Sequence, residues 1–208
     1  MKMFSAAGAS AKLGVARLCD HTYLPDLLNS RSIVVDLGAN HGEFARELIN
    51  RSGCTVYAAE PLSSLHAKID SSPHLKLFRV ALGRQNGSAS LRVYGGRCAS
   101  LLGARENDET VNQEEVEVVD LHTFLVRAGL GRVDLMKVDV EGAELDIFES
   151  VLESDLRLIG QITIEFHDFI YPNLKPRVEA VKRRLCKLGF WMIDFSRITP
   201  MFFSSTVT

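Results

Sequence analysis

The sequence has little of what marks a secreted, membrane-spanning or nucleic-acid-coating protein. Its four cysteines, Cys19, Cys54, Cys98 and Cys186, are far apart and form no C-x-x-C pair. That excludes the dense disulfide framework of small secreted folds and predicts a reducing, cytoplasmic compartment. No apolar run reaches the roughly 20 residues that a bilayer span needs, and Lys12 and Arg17 interrupt any signal-peptide core near the N-terminus. Neither sign of charge dominates: 24 Lys and Arg stand against 26 Asp and Glu, a formal net charge of -2. A chain so balanced has no general grip on a phosphate backbone. Its one compact basic run, Lys182-Arg183-Arg184, falls in a helical pattern whose apolar stripe is Val178, Val181, Leu185 and Leu188, and reads as a solvated face. Neither a membrane nor a nucleic acid is expected as partner.

What is present is the composition of one globular unit, 46% hydrophobic and 24% charged over 208 residues, enough for one substantial core. Residues 13–28 show a loose helical spacing broken at Pro25, so 1–31 is expected to be a helical segment packed on a single domain, 32–208. From Ser32 the pattern sharpens. Ile33-Val34-Val35 is a β-branched run bounded by polar residues and glycine, as in a strand buried on both faces. Residues 43–50 then carry Phe44, Leu48 and Ile49 on one helical face.

Strands at 55–59 and 75–80 flank a short helix at 62–70, and this alternation implies parallel crossover units. Residues 90–94 and 115–118 alternate apolar and polar side chains instead, which predicts a half-exposed antiparallel hairpin. Between them, 95–113 is polar and glycine-containing, like a binding lid. Helices at 121–128, 143–152 and 174–188 then alternate with strands at 133–138, 161–166 and 190–195, and Met201-Phe202-Phe203 reads as an edge strand. The fold class expected is α/β, a mostly parallel central sheet with an antiparallel hairpin insertion and an edge strand.

Such sheets bind ligands beyond the carboxyl ends of their strands, where strand order reverses. The first strand here runs into Asp36-Leu37-Gly38-Ala39-Asn40-His41-Gly42. Its glycines permit a tight turn and a close approach of main chain to ligand. The middle glycine of the pyrophosphate-binding G-x-G-x-x-G is missing, which favours a ligand without a pyrophosphate. Asp36 reads equally as a cap for backbone donors or as a partner for a ligand's ammonium group. Glu60 ends the second strand about one βαβ step later, where a carboxylate accepts both hydroxyls of a ribose.

After the fourth parallel strand comes Lys137-Val138-Asp139-Val140-Glu141-Gly142-Ala143-Glu144, and after the fifth Glu165-Phe166-His167-Asp168. Acidic groups and a histidine meeting at one sheet edge serve as a general base, orient a hydroxyl or bind a hard divalent metal ion, and all three readings stand. His21, His66, His74 and His122 have no partner at ligand spacing and read as surface or packing residues, while His41 stands at the pocket mouth.

The glycine loop, Glu60-Pro61, Ala81-Leu82-Gly83 and above all the run from Lys137 to Glu144 resemble the FkbM-type methyltransferases, in order and spacing, over about residues 33–195. The resemblance implies a Rossmann-like class I methyltransferase fold and S-adenosyl-L-methionine as methyl donor. It also implies O-methylation of a hydroxyl on a small-molecule acceptor, a saccharide or other natural product. Carried over, Gly38, Asn40 and Gly42 line the methionine and ribose portion, Glu60 holds the ribose and Ala81 lies near the adenine. Asp36, Ala39 and Pro61 complete the expected cofactor contacts. The chain departs from the pattern at Asp120-Leu121-His122, where such proteins often carry Thr-Leu-Asp.

For the transfer itself, His167 is the expected base, since an ordinary histidine pKa near 6.5 suits proton uptake at neutral pH. Asp139 would orient it or the acceptor, and Glu165 would act as a supporting or metal-binding carboxylate. The acceptor pocket is expected from loops 95–113 and 168–176. Two rivals are a nicotinamide-dependent oxidoreductase on the same kind of sheet and a non-catalytic nucleotide-binding module.

Overall fold

The computed structural model describes residues 3–4, 14–69, 72–94, 98–100, 110–193 and 199–204. In chain order the strands are β1 Met3–Phe4, β2 Ala16–Leu18, β3 His21–Tyr23, β4 Ile33–Leu37, β5 Thr55–Ala59, β6 Leu75–Phe78, β7 Ala81–Leu82, β8 Gly87–Tyr94, β9 Cys98–Ser100, β10 Thr110–Val119, β11 Val133–Val138, β12 Ile159–Ile164, β13 Phe190–Ile193 and β14 Met201–Ser204. The helices are α1 Glu43–Ser52, α2 Ser63–His66, α3 Leu121–Ala128, α4 Glu144–Ser150, α5 Glu153–Leu156 and α6 Lys175–Lys187.

The main sheet has eight strands in the order β1-β13-β14-β12-β11-β4-β5-β6. Every pairing is parallel except those of β14, which is antiparallel to both β12 and β13. Met201-Phe202-Phe203 is therefore an interior strand, which corrects the expected edge position. The reason is in its composition: 0%, 0% and 4% exposed, this all-apolar run suits a strand covered on both faces. The order reverses between β4 and β11, so the ligand crevice belongs at their carboxyl ends.

Alternation along the strands separates two faces. Val35, Leu37, Met136, Val138, Ile162 and Ile164 point into the largest core, against Phe124 of α3, Phe148 of α4 and Val178, Val181 and Leu185 of α6. On the other face Val34 and Leu135 meet Phe44 and Leu48 of α1 and Tyr23 of β3. Nearer the carboxyl ends that face turns polar. Lys137 is in register with Asp36 on one side and Thr163 on the other, so the three form a row across β4, β11 and β12.

Residues 16–23 form a β-hairpin, not the helical segment expected within 1–31, and only a single 3-10 turn, Pro25–Leu27, follows it. The hairpin turns through Cys19 and Asp20, both left-handed at φ 44 and 65, the hand that matches the twist of paired strands. Tertiary contacts overrode a weak periodicity. The Gln161 side chain accepts from the Leu24 amide at 2.8 Å and donates to its carbonyl at 3.4 Å, while Thr199 donates to Asp20 O at 3.1 Å.

A second sheet, β7-β10-β8-β9, carries the expected antiparallel hairpin, β8 against β10. Within the lid region, 95–97 and 101–109 lie outside the described residues. At the departure from the resemblance, Asp120 accepts from the Thr123 amide at 2.7 Å and caps α3, so the turn is sound without threonine. The basic run has a structural use as well, since Arg184 donates to the carbonyl of Phe148 in the last turn of α4 and to that of Val151 just beyond it. No helix among the described residues is long and apolar enough to cross a membrane.

Candidate active site

A cavity of about 290 Å³ opens at the carboxyl ends of β4, β5 and β11. Its wall includes the apolar Leu62, Leu65, Val80, Ala81, Leu82 and Leu91 and the polar Asn40, Lys137, Asp139 and Glu141. Glu60 lines the cavity with both. It is 5% exposed, and its Oε2 accepts from the Asn40 amide at 2.8 Å while Oε1 accepts from the Leu62 amide at 2.9 Å. His66 donates from Nε2 to the Glu60 carbonyl at 2.7 Å. Burial pushes the Glu60 carboxyl up, against the lowering effect of the two amides. Each oxygen keeps lone-pair capacity for a ligand hydroxyl.

Of the residues expected at the cofactor, Gly38, Ala39, Asn40, Glu60, Pro61 and Ala81 line the cavity. Asp36 and Gly42 are not on its wall. Asp36 is fully buried beneath Lys137, whose Nζ lies 3.1 Å from its Oδ1, and no side chain caps the following helix. Gly42, at φ 72, packs on Ile69. Gly38 also has a different reason to be glycine: a Cβ there would sit 1.8 Å from the Asp139 carbonyl oxygen. The close approach shown is between the ends of two strands, at a residue that also lines the cavity.

Lys137 was not singled out from the sequence. It is 5% exposed, donates to Gly38 O at 2.6 Å and lies 3.7 Å from Asp139 Oδ2. Burial alone would lower its pKa, but Asp36, Asp139 and Glu60 outweigh this and raise it. The available signal was a lysine among apolar neighbours in a strand buried on both faces.

His21, expected as a surface or packing residue, is buried at the site. It is 1% exposed and lines the cavity. Its Nδ1 is 3.3 Å from Thr163 Oγ1, its Nε2 is 3.6 Å from Asp139 Oδ2, and its ring meets Phe44 edge-on. Ligating atoms of His21, Asp139 and Glu165 all lie within 4.8 Å of one another, as do those of Asp139, Glu144 and His167. Burial raises the Asp139 carboxyl, yet His21 and Lys137 hold it below the ordinary range. Glu165 is pushed up to about 7, first by burial and then by Asp139.

His167 does not have the ordinary pKa on which its reading as a base relied. It stands off the cavity wall, with Nε2 3.3 Å from Glu141 Oε2 and Nδ1 3.2 Å from Glu144 Oε1, the latter off the line of a good hydrogen bond. Burial opposes its charge, but the two carboxylates prevail and hold it at about 11. A cationic imidazole has no lone pair for a proton. Glu144 Oε1 also accepts from the amides of Val140 and Gly142 at 3.0 and 3.1 Å, so this clasp shapes the acidic loop.

The non-glycine residues with positive φ among the described ones are Cys19, Asp20, Asn40 and Glu141. Cys19, Asn40 and Glu141 line the cavity. Backbone strain is thus concentrated where the chain turns around the cleft.

The strand order, with one antiparallel strand inside a parallel sheet and the cleft at its switch point, is that of the Rossmann-like class I methyltransferases. The model for the Methyltransferase FkbM domain matches residues 36–192, and the chain belongs to that family. Methyltransferase sdnD of Sordaria araneosa is 40% identical over 78% of this chain and 76% of its own length. The AMB antimetabolite synthetase AmbE of Pseudomonas aeruginosa is 23% identical over 82% of this chain, which spans only 10% of that protein. Among solved structures, a rRNA methylase from Streptococcus thermophilus aligns with a TM-score of 0.47 and 13% identity over 86% of this chain and 88% of its own.

Proposed function

We propose that this chain uses S-adenosyl-L-methionine to methylate a hydroxyl of a small acceptor, a saccharide or similar natural product. The observation that carries the reading is Glu60, a buried carboxylate held by two backbone amides in a cavity whose lining is partly apolar and partly charged. A nucleoside with a polar tail combines the same two characters. Val80, Ala81, Leu82 and Leu91 would hold the adenine, Glu60 the ribose hydroxyls, and Ala39 and Asn40 the amino-acid portion. When bound, the sulfonium supplies an electrophilic methyl group.

Asp139 and Glu165 would flank the acceptor hydroxyl, orient it by hydrogen bonding and receive its proton. The bound donor would give up its methyl group to the acceptor oxygen, the carbon–sulfur electron pair staying with sulfur. Most of the acceleration then comes from holding oxygen and methyl carbon in attacking contact. His167 acts as a fixed cation beneath the acidic loop. The carboxylates of Asp139, Glu141 and Glu165 around this end favour a small acceptor over a phosphate backbone, which they would repel.

Calorimetry with S-adenosylhomocysteine tests the reading. One site per chain is expected, weakened about tenfold to a hundredfold by Glu60→Gln, the loss of one charge-assisted hydrogen bond. Methyl transfer to hydroxylated small molecules should follow. Absence of binding, or equal affinity in the variant, would overturn the cofactor assignment; transfer only to RNA would overturn the acceptor class.

A further inference from the structure

We propose that His21, Asp139 and Glu165 form a divalent cation site at the acceptor end of the cleft, suited to manganese and gripping the acceptor through its oxygen. The inference rests on the proposed methyl transfer for its role but not for its geometry. Three separate segments supply the donors: the hairpin gives His21, the end of β11 gives Asp139 and the end of β12 gives Glu165. Their ligating atoms lie within 4.8 Å of one another. Donors about 2.1 Å from a common octahedral ion stand roughly 3 Å apart when adjacent and 4 Å when opposite.

The histidine provides the second argument. Its Nδ1 faces Thr163 Oγ1 at 3.3 Å. Nε2 lies 3.6 Å from Asp139 Oδ2, and when a cation is bound, with Nδ1–H donating to the Thr163 hydroxyl, Nε2 would offer its lone pair to the ion. That separation is too long for a hydrogen bond and is an ordinary edge between ligands of one cation. Fixing the imidazole through its other nitrogen is how proteins orient metal-binding histidines. The ring is 1% exposed, and Gln161 and Thr199 anchor the adjoining chain, so its position is built into the fold.

The alternative grouping with Glu144 and His167 is the poorer site. Both nitrogens of His167 already face carboxylates, and Glu144 Oε1 is engaged by two amides. At the preferred site one imidazole and two carboxylates lie between the oxygen-only sets of magnesium and the nitrogen-rich sets of zinc, which favours manganese. Asp139 and His21 both line the cavity, so the remaining coordination positions face the acceptor. A cation there acidifies a hydroxyl, and the proton received by carboxylates in the simpler scheme is then lost to water.

Manganese binding to chelator-treated protein, followed by loss of the free-ion paramagnetic resonance signal, tests the site without requiring turnover. One ion per chain with Kd below about 1 mM is expected. His21→Gln, which keeps an amide beside Thr163, and Glu165→Gln should each weaken it roughly tenfold or more, whereas His122→Ala should leave it unchanged. Circular dichroism and urea unfolding of the variants, matched to the native protein, establish that they are folded. If the nucleoside binds and manganese does not, or if manganese binds equally to both variants, the cation site is overturned while the cofactor reading stands. Manganese binding lost in the variants, with no nucleoside binding by the native protein, keeps the cation site and removes the cofactor reading.

Discussion

The two faces of the central sheet are made by the same strands and differ by one residue of offset. Met136 and Ile162 enter an apolar core beneath α3, α4 and α6. Their chain neighbours Lys137 and Thr163 join Asp36 in a buried polar row, and two positions further along stand Asp139 and Glu165. One face is held by packing, in which neighbours substitute for one another at modest cost. The other is apolar beneath α1 and β3 and, at its carboxyl end, is held by charge pairing, in which removal of one member leaves its partner buried without compensation.

The largest test of this contrast is Lys137→Met. It leaves the fully buried Asp36 carboxylate without its cation and is expected to cost about 3–5 kcal/mol in urea unfolding. Combining it with Asp36→Leu should recover most of that loss. A single variant as stable as the native chain would mean that the row does not hold the strand ends.

Adjacent residues of β12 give a finer comparison. Ile162→Val and Thr163→Val should each cost about 1 kcal/mol. Only the second, which releases His21, should lower turnover, by roughly tenfold. Equal turnover in the two variants would break the division between the faces.

The smallest effect belongs to the surface of the packed side, where Glu149 meets Arg84 and Arg177 at 2.7 and 2.8 Å. Arg177 holds the Glu149 carboxyl below its ordinary value of 4.5. Its stabilisation is therefore present above pH 4.5 and lost as pH falls through the lower folded-state value. Glu149→Gln should cost about 0.5 kcal/mol or less at neutral pH and flatten this dependence in acid-unfolding curves.

The packed face was legible in the sequence because periodicity and β-branched runs are local: 55–59, 121–128 and 133–138 are the bounds of β5, α3 and β11. Glu60 and the acidic loop were legible because strand ends in a parallel sheet carry ligands. The hairpin at 16–23 was not, since its anchors are Gln161, Thr163 and Thr199, far away along the chain. Nor was the charge of His167, which depends on Glu141 and Glu144 reaching it from another segment. The pairing of Asp36 with Lys137 was hidden for a related reason: Lys137 looked like an ordinary strand residue.

The left-handed backbone at Cys19, Asn40 and Glu141 has a consequence for directed evolution. Glycine at Cys19 relieves the conformation without disturbing the sheet, so selection for heat resistance alone is expected to enrich Cys19→Gly, whereas Glu141→Gly would also take a carboxylate from beside the buried His167 and should be selected against. Because Cys19 lines the cavity, survivors of such a selection would still need screening for turnover.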